Sequence, residues 1–269
     1  MMIPEGFLGG VLVVWYLLTA GSLIFLIWDL WTNTPSMWVM KLAWILIVLY
    51  TGPIGLFVFL ISCRQPLPDT HDQFIASHWK QSVGSLMHCV AGDATGIILA
   101  AAIASVLQVP SGIDLIMEYT TAFVFGLFIF QALFMKSIMG GDYFKAVKKT
   151  FFAETVSMNM VMVGMIPIMA ILRSRLSEGR DPDNLLFWGI AGFAAIVGGI
   201  MAYPINSWMV GKGLKHGMMT ASSGMMSMSH HDHVPKDISF SYKFLVVVFT
   251  ALILLFAILI TSRFVHFRF

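Results

Sequence analysis

The stretch "GFLGGVLVVWYLLTAGSLIFLIWDLW", residues 6–31, carries one charged residue, Asp29, in a long run of apolar and small residues. A membrane-spanning helix needs about 20 mainly apolar residues, because its side chains face hydrocarbon while its backbone satisfies its own polar groups. The apolar run is too long for a signal peptide, and no basic residues precede it. We therefore expect a retained first transmembrane helix.

Six further apolar runs of similar length predict a bundle of about seven transmembrane helices. Of the 269 residues, 58% are hydrophobic and only 11% are charged, whereas soluble domains carry about 25% charged residues. We expect an all-α integral membrane protein in contact with the lipid bilayer, with residues 1–269 forming one transmembrane domain. The predicted spans are residues 6–31, 37–62, 83–108, 119–138, 146–172, 185–210 and 244–261.

Lysine and arginine are unequally distributed between the alternate loops, and cytoplasmic loops usually hold more of them. Of the 16 such residues, ten lie on the side that holds the loop between spans six and seven. In a seven-span arrangement the amino terminus shares that side. The count therefore predicts that both are cytoplasmic, with the carboxyl terminus outside.

The composition excludes several functions. The net charge is only +2, and no basic stripe or zinc-finger spacing indicates a nucleic-acid partner. Two cysteines, Cys63 and Cys89, do not make a disulfide framework. The chain has no phosphate-binding P-loop, no G-x-S-x-G elbow and no H-E-x-x-H helix, so we expect a protein that is not an enzyme.

The loop between spans six and seven, residues 211–241, contains "HGMMTASSGMMSMSHHDH". Thioether sulfur prefers Cu(I), and imidazole binds copper, zinc or nickel ions. The loop therefore predicts a metal site with copper as its cofactor. A biased polar linker that binds metals weakly is the open alternative. The predicted ligands are His216, Met218, Met219, Met225, Met226, Met228, His230, His231 and His233.

The third span begins with "SLMHCVAGDATG", residues 85–96. Small residues four apart let a second helix approach closely, which would bury His88, Cys89 and Asp93 against it. Ionisable groups at membrane depth are costly and need a partner or a cavity. The pattern predicts a metal or proton site, or else tight helix packing with hydrogen-bonded His88 and Asp93. The residues that recur every four positions, and therefore share one stripe of the helix, are Gly84, His88, Gly92 and Gly96.

The fifth span contains "AETVSMNMVMVGMIPIMAIL", residues 153–172, in which a carboxylate is continued by thioethers on one helix face. Such a stripe could guide a soft cation, although methionine also fills gaps in helix packing. We expect Lys149 to be the partner of the carboxylate, and Asn206 in the sixth span to line a cavity. We expect His71 and His78, in a polar loop, to be solvated. The carboxylate and thioether stripe of the fifth span consists of Glu154, Met158, Met162, Met165 and Met169.

Several blocks of the chain resemble a family of prokaryotic membrane proteins, domain of unknown function 4396. They are "MWVMKLAWILIVLYTGPIGLFVF", "HWKQSVGSLMHCVAGDATG", "FVFGL", "AETVSM", "LFWG" and "AYPINSWMVGKGLKHGMM". The resemblance implies an integral protein of a prokaryotic cytoplasmic membrane, with the His88–Cys89 block as its most characteristic site. Many members place a second cysteine where this chain has Asp93, and an acidic residue where it has Ile97. These departures weaken any prediction of a dithiol site here.

Three functions remain open on the sequence. The first is copper handling, in which the Met/His loop collects the ion and an intramembrane relay of His88, Cys89, Asp93 and Glu154, with Met158 and Met162, passes it on. The second is an accessory subunit of a larger membrane enzyme, such as a copper-dependent oxidase or monooxygenase, or a homo-oligomer. The third is a proton- or ion-coupled carrier for a small solute, which would use the buried His88, Asp93 and Glu154.

Overall fold

The computed structural model describes residues 5–138, 140–220 and 238–268, and these residues form an all-helical bundle. Six helices are long and apolar enough to cross a membrane, so the predicted all-α membrane class is confirmed. The elements are α1 (Glu5–Thr32), α2 (Trp38–Thr51), α3 (Pro53–Ser62), α4 (His71–Ile75), α5 (His78–Val106), α6 (Ser111–Val124), a π-helical segment (Phe125–Gln131), α7 (Ala132–Ile138), α8 (Tyr143–Arg175), a 3-10 turn (Ser177–Arg180), α9 (Leu185–Gly211) and α10 (Phe240–Thr261).

The prediction of a single span over residues 37–62 is wrong. Gly52 has a positive φ of 57°, a conformation that favours glycine, and Pro53 then starts a new helix. The chain turns back at this point. As a result, Trp44 of α2 packs edge-on against Phe59 of α3, with ring centroids 5.4 Å apart. Helices α2 and α3 therefore form a hairpin. At 1.5 Å per residue α2 extends about 21 Å, less than the roughly 30 Å of a hydrocarbon core.

Both ends of this hairpin lie beside the end of α1. Ser36, before α2, lies 3.5 Å from Cys63, after α3. Arg64 donates from Nε to Asp29 Oδ2 over 2.6 Å, at the last turn of α1. The hairpin thus enters and leaves the bundle on one side, and the described residues contain six helices long and apolar enough to span a membrane rather than seven.

The hairpin also changes the predicted orientation. With six spans, α1 begins at the end of the bundle where α5, α8 and α10 finish, so the prediction that it begins beside the Met/His loop is wrong. Lys41 moves to the end that holds this loop, which raises the count there from ten to eleven of the 16 lysines and arginines. We call this the lysine-rich end. The opposite end holds Arg173, Arg175, Arg180, Arg263 and Arg268, and we call it the arginine-rich end.

Helices α5 and α8 form the centre of the bundle. In the most apolar part of each helix, the buried share is 67% in α5 and 61% in α8. The corresponding share is only 17% in α1 and 17% in α10. The exposed side chains of α1 and α10 are large and apolar, such as Leu17, Ile24 and Phe249. The surfaces of α1 and α10 therefore suit contact with lipid. The polar groups on α5 and α8 are shielded from lipid by the rest of the bundle.

Labelling of single cysteines distinguishes the hairpin from a seventh span. A cysteine can be introduced at three exposed positions, Thr32, Pro68 and Ser177. The natural Cys63 and Cys89 are fully buried. We expect an impermeant maleimide added to one membrane face to label Thr32→Cys and Pro68→Cys together, and Ser177→Cys only from the other face. A seventh span would instead place Thr32→Cys with Ser177→Cys and leave Pro68→Cys on the opposite face.

Candidate functional site

Helix α5 touches α6 and the π-helical segment that follows it backbone to backbone. A Cβ atom at Gly92 would lie 2.8 Å from Gly126 Cα, and one at Gly96 would lie 2.6 Å from Ala122 Cα. The glycine stripe predicted from the sequence therefore does allow a close helix approach. The π-helical geometry widens the partner helix at this contact, as often happens at functional sites.

Two carboxyl groups meet at Gly126. A Cβ atom there would lie 1.8 Å from Glu154 Oε1 and 2.5 Å from Asp93 Oδ1, and both acids are completely buried. No nitrogen or hydroxyl donor among the described residues reaches either Asp93 oxygen or Glu154 Oε1, and both carboxyl groups lie against the same glycine. One of the two acids must therefore hold a proton, since adjacent buried carboxylates cannot both be charged. We call Asp93 and Glu154 the acid pair.

Cys89 connects the acid pair to a buried cation. Its thiol donates to Glu154 Oε2 over 3.2 Å. It accepts from Gln131 Nε2 at 3.0 Å and from Lys215 Nζ at 2.6 Å. The side chain of Lys215 is buried, so one ammonium balances the single negative charge that the acid pair carries when it holds one proton.

The network continues into α9. Lys215 also donates to Asn206 Oδ1 over 2.6 Å, and Asn206 Nδ2 donates to Ser157 Oγ over 2.8 Å. Asn206 is thus buried and hydrogen-bonded on both sides of its amide, and the expectation that it lines a cavity stays a prediction. A second polar group lies nearer the arginine-rich end, where Asn159 accepts from Tyr119 at 3.0 Å and donates to Thr250 at 3.1 Å.

Lys215 reaches this site because residues 212–220 fold back across the bundle, and we call this segment the strap. Gly213, its second residue, has a positive φ of 66°. Met218 packs on Gly84 of α5, where a Cβ atom would lie 2.1 Å from Met218 Cγ. Thr220 then pairs with Ser36 in an antiparallel bridge. The strap thereby closes the lysine-rich end over the acid pair.

His71 fixes the far end of the strap. Its Nδ1 lies 2.6 Å from Thr220 Oγ1 and its Nε2 lies 3.1 Å from the Cys63 carbonyl oxygen. Burial lowers the pKa of His71 below its usual value. The expectation of a solvated side chain is met for the exposed His78 but is wrong for His71, because the strap covers its ring.

Several buried polar atoms of α5 have no partner among the described residues. They include Ser85 Oγ and both ring nitrogens of His88, besides the Asp93 oxygens. The His88 ring packs on Phe134 with centroids 4.2 Å apart. Buried polar groups normally bond to protein, water or a ligand, so this row from Ser85 to Asp93 suits water or a solute between the lysine-rich end and the acid pair.

The predicted metal ligands are only partly brought together. Cys89 and Glu154 touch, and Asp93 joins them, but the described residues contain no group of three or more His, Cys, Asp and Glu side chains that could hold a metal ion. The Lys215 ammonium occupies one approach to the Cys89 sulfur, which a metal cation would need. Lys149, the expected partner of Glu154, makes no ion pair with it in the part of the chain that the structure describes.

The methionines and the loop ligands divide into three groups. Met158, Met162 and Met165 are completely buried core residues, and Met169 is buried apart from a trace of exposure. In the strap, Met218 is buried, Met219 packs against the core and His216 is exposed. Met225, Met226, Met228, His230, His231 and His233 lie outside the described residues.

The fold and the site define the class: an all-α membrane protein whose described residues form six long apolar helices, with a polar centre between α5, α8 and α9. The chain belongs to the domain of unknown function family DUF4396, whose model matches residues 78–215. That range is just over half of the chain, and it contains α5 to α9 together with Lys215. The acid pair, Cys89 and Lys215 are thus all inside the family region. No curated protein and no solved structure matches the chain.

Proposed function

We propose that this protein is a proton-coupled carrier for a small solute, with the acid pair as its proton-binding site. The observation that supports it most is the fully buried meeting of Asp93 and Glu154 at Gly126. Ionisable residues at membrane depth are expensive and commonly mark ion or proton pathways. A pair that shares one proton beside one ammonium is electrically neutral, and gaining or losing a proton changes that balance.

The location of the pair supports exchange with both membrane faces. The unpartnered atoms of Ser85 and His88 lie on the side of the lysine-rich end, and Tyr119 and Asn159 lie toward the arginine-rich end. Carriers expose a site near the bilayer middle to each side in turn. We propose that the lysine-rich end faces the cytoplasm of a prokaryotic cell, in keeping with the excess of basic residues there.

Infrared difference spectroscopy of the purified protein tests this proposal. We expect wild type at neutral pH to show a protonated buried carboxyl whose band shifts promptly in D₂O, because a transported proton must exchange with solvent. Glu154→Gln and Asp93→Asn should each remove the band. Asp183→Asn, at an exposed carboxyl, is the matched control. A band that does not exchange, or that survives both substitutions, would show a static structural group and contradict the carrier.

Copper handling is a second proposal, supported by the composition of the Met/His loop. The strap carries His216 and Met218 directly into that loop, so an ion captured there would be near the lysine-rich end. Elemental analysis after copper loading tests it. Replacement of six loop residues by serine should abolish bound copper, and equal copper in this variant and in wild type would rule out capture by the loop. The six residues are Met225, Met226, Met228, His230, His231 and His233. A role as an accessory subunit stays a prediction.

A further inference from the structure

A large cavity opens at the arginine-rich end, separate from the acid pair. Its volume is about 950 Å³, which is within the usual range of small-molecule sites. The ends of α5 and α8, the start of α6, the 3-10 turn and the residues after α10 form its walls. The residues after α10 are fixed in place, because Gly112 N donates to Arg268 O over 2.6 Å and Arg268 N donates to Ser111 Oγ over 3.0 Å.

The charges of this cavity are asymmetric. On one wall Arg173 pairs with both Asp114, at 3.3 Å, and Glu118, at 3.2 Å. The other three arginines of the lining have no carboxylate partner among the described residues. They are Arg175, Arg180 and Arg268. Four guanidinium groups against two carboxylates leave the cavity positive, which favours an anion.

Part of the cavity lining is apolar. Leu115, Phe264 and Phe267 line the cavity together with the arginines, and the side chains of all three are at least partly exposed. A guanidinium is suited to bind carboxylate or phosphate through two parallel hydrogen bonds. An anion with a short apolar tail would place its head among the arginines and its tail against these apolar side chains. An inorganic ion would make no use of them.

The cavity approaches the acid pair along α6. Glu118 lines the cavity, and the next residue, Tyr119, donates to Asn159. Gly126 follows Glu118 by eight residues, about 12 Å at 1.5 Å per residue. A solute bound in the cavity would therefore lie on the same path as the proton site.

We propose that this cavity binds a small amphipathic anion, a carboxylate or phosphate head with a short apolar tail, as the solute of the carrier. Its role as a transported solute rests on the proposed function, but binding itself does not. A free metabolite and an anionic lipid headgroup share this chemistry. The cavity assigns Arg175 and Arg268 as the residues that hold the head.

Calorimetry with the full chain in nanodiscs of neutral lipid tests the site. We expect hexanoate to bind, added salt to weaken it, and hexyltrimethylammonium, with the same tail and the opposite charge, not to bind. Arg175→Gln and Arg268→Gln should each weaken hexanoate binding about tenfold, the effect of one charge-assisted hydrogen bond. Arg263→Gln is the matched control, since Arg263 is exposed at the same end but does not line the cavity.

Nanodiscs that contain anionic phosphatidylglycerol distinguish the two sources of the anion. Competition with hexanoate, lost in Arg175→Gln, would identify a lipid headgroup as the occupant, and no competition would identify a soluble anion. Absence of hexanoate binding, or binding that neither substitution weakens, would overturn the inference. The infrared measurement on the acid pair is independent of this result, so failure of the anion site and failure of the proton site are distinguishable.

Discussion

Replacement of Lys215 by methionine should lower the free energy of unfolding by about 3 kcal/mol, the lower end of the cost of breaking a buried ion pair. Methionine has a similar length but no charge, so the acid pair would keep its negative charge without the ammonium. We expect the lower end because Cys89 separates the lysine from Glu154. Denaturant titration of the purified protein in mixed micelles measures the change.

Two further variants make this result specific. Lys212→Met removes a lysine from the same strap, but from an exposed position, and should change the free energy by less than about 0.5 kcal/mol. Glu154→Gln combined with Lys215→Met removes both charges and should recover much of the stability. If the two substitutions are additive instead, charge compensation between Lys215 and the acid pair is excluded.

Alanine at Gly126 should have the second largest effect, because the new methyl group would overlap both carboxyl groups. The Cβ atom would lie 1.8 Å from Glu154 Oε1, and forcing extra atoms into a packed interior costs about 1–3 kcal/mol. We also expect the exchangeable carboxyl band to be lost, since the acids can no longer touch. Unfolding and infrared measurements on the same preparation would report both changes.

Gly199 provides the matched control for this substitution. It is buried in α9, and a Cβ atom there would meet only Val90 Cγ2 at an ordinary 3.8 Å. Alanine is the better helix former by up to about 1 kcal/mol, so Gly199→Ala should be neutral or stabilising. Equal losses for Gly126→Ala and Gly199→Ala would mean that the closeness of the carboxyls is not what Gly126 provides.

Hydropathy was sufficient for the membrane class but not for the path of the chain. Residues 37–62 are apolar enough to span, and only Gly52 and Pro53 indicate a reversal. A hairpin inside a bilayer must be as apolar as a span, because both face the same surroundings. The signal that separates them is the break itself, and its geometry depends on contacts such as Trp44 with Phe59.

The acid pair was within reach of sequence reasoning, but its cation was not. Asp93 and Glu154 stand out as charges inside apolar runs. Lys215 lies outside every span and resembles an ordinary loop lysine, because only the folded strap brings it inside. One signal was present: Asn206 and Lys215 belong to the same block that carries the family resemblance, and they are hydrogen-bonded in the structure.

The position of Lys215 in the chain has a consequence for the synthesis of the protein. The acids are on α5 and α8, and the ammonium comes from the strap after α9, so both carboxyls leave the ribosome and enter the membrane well before their cation. During that interval each must remain protonated or in contact with water, since a lone charge in hydrocarbon is costly. The early helices are therefore incomplete intermediates. Closure of the strap, rather than insertion of any single helix, marks the point at which the nascent protein becomes electrically balanced.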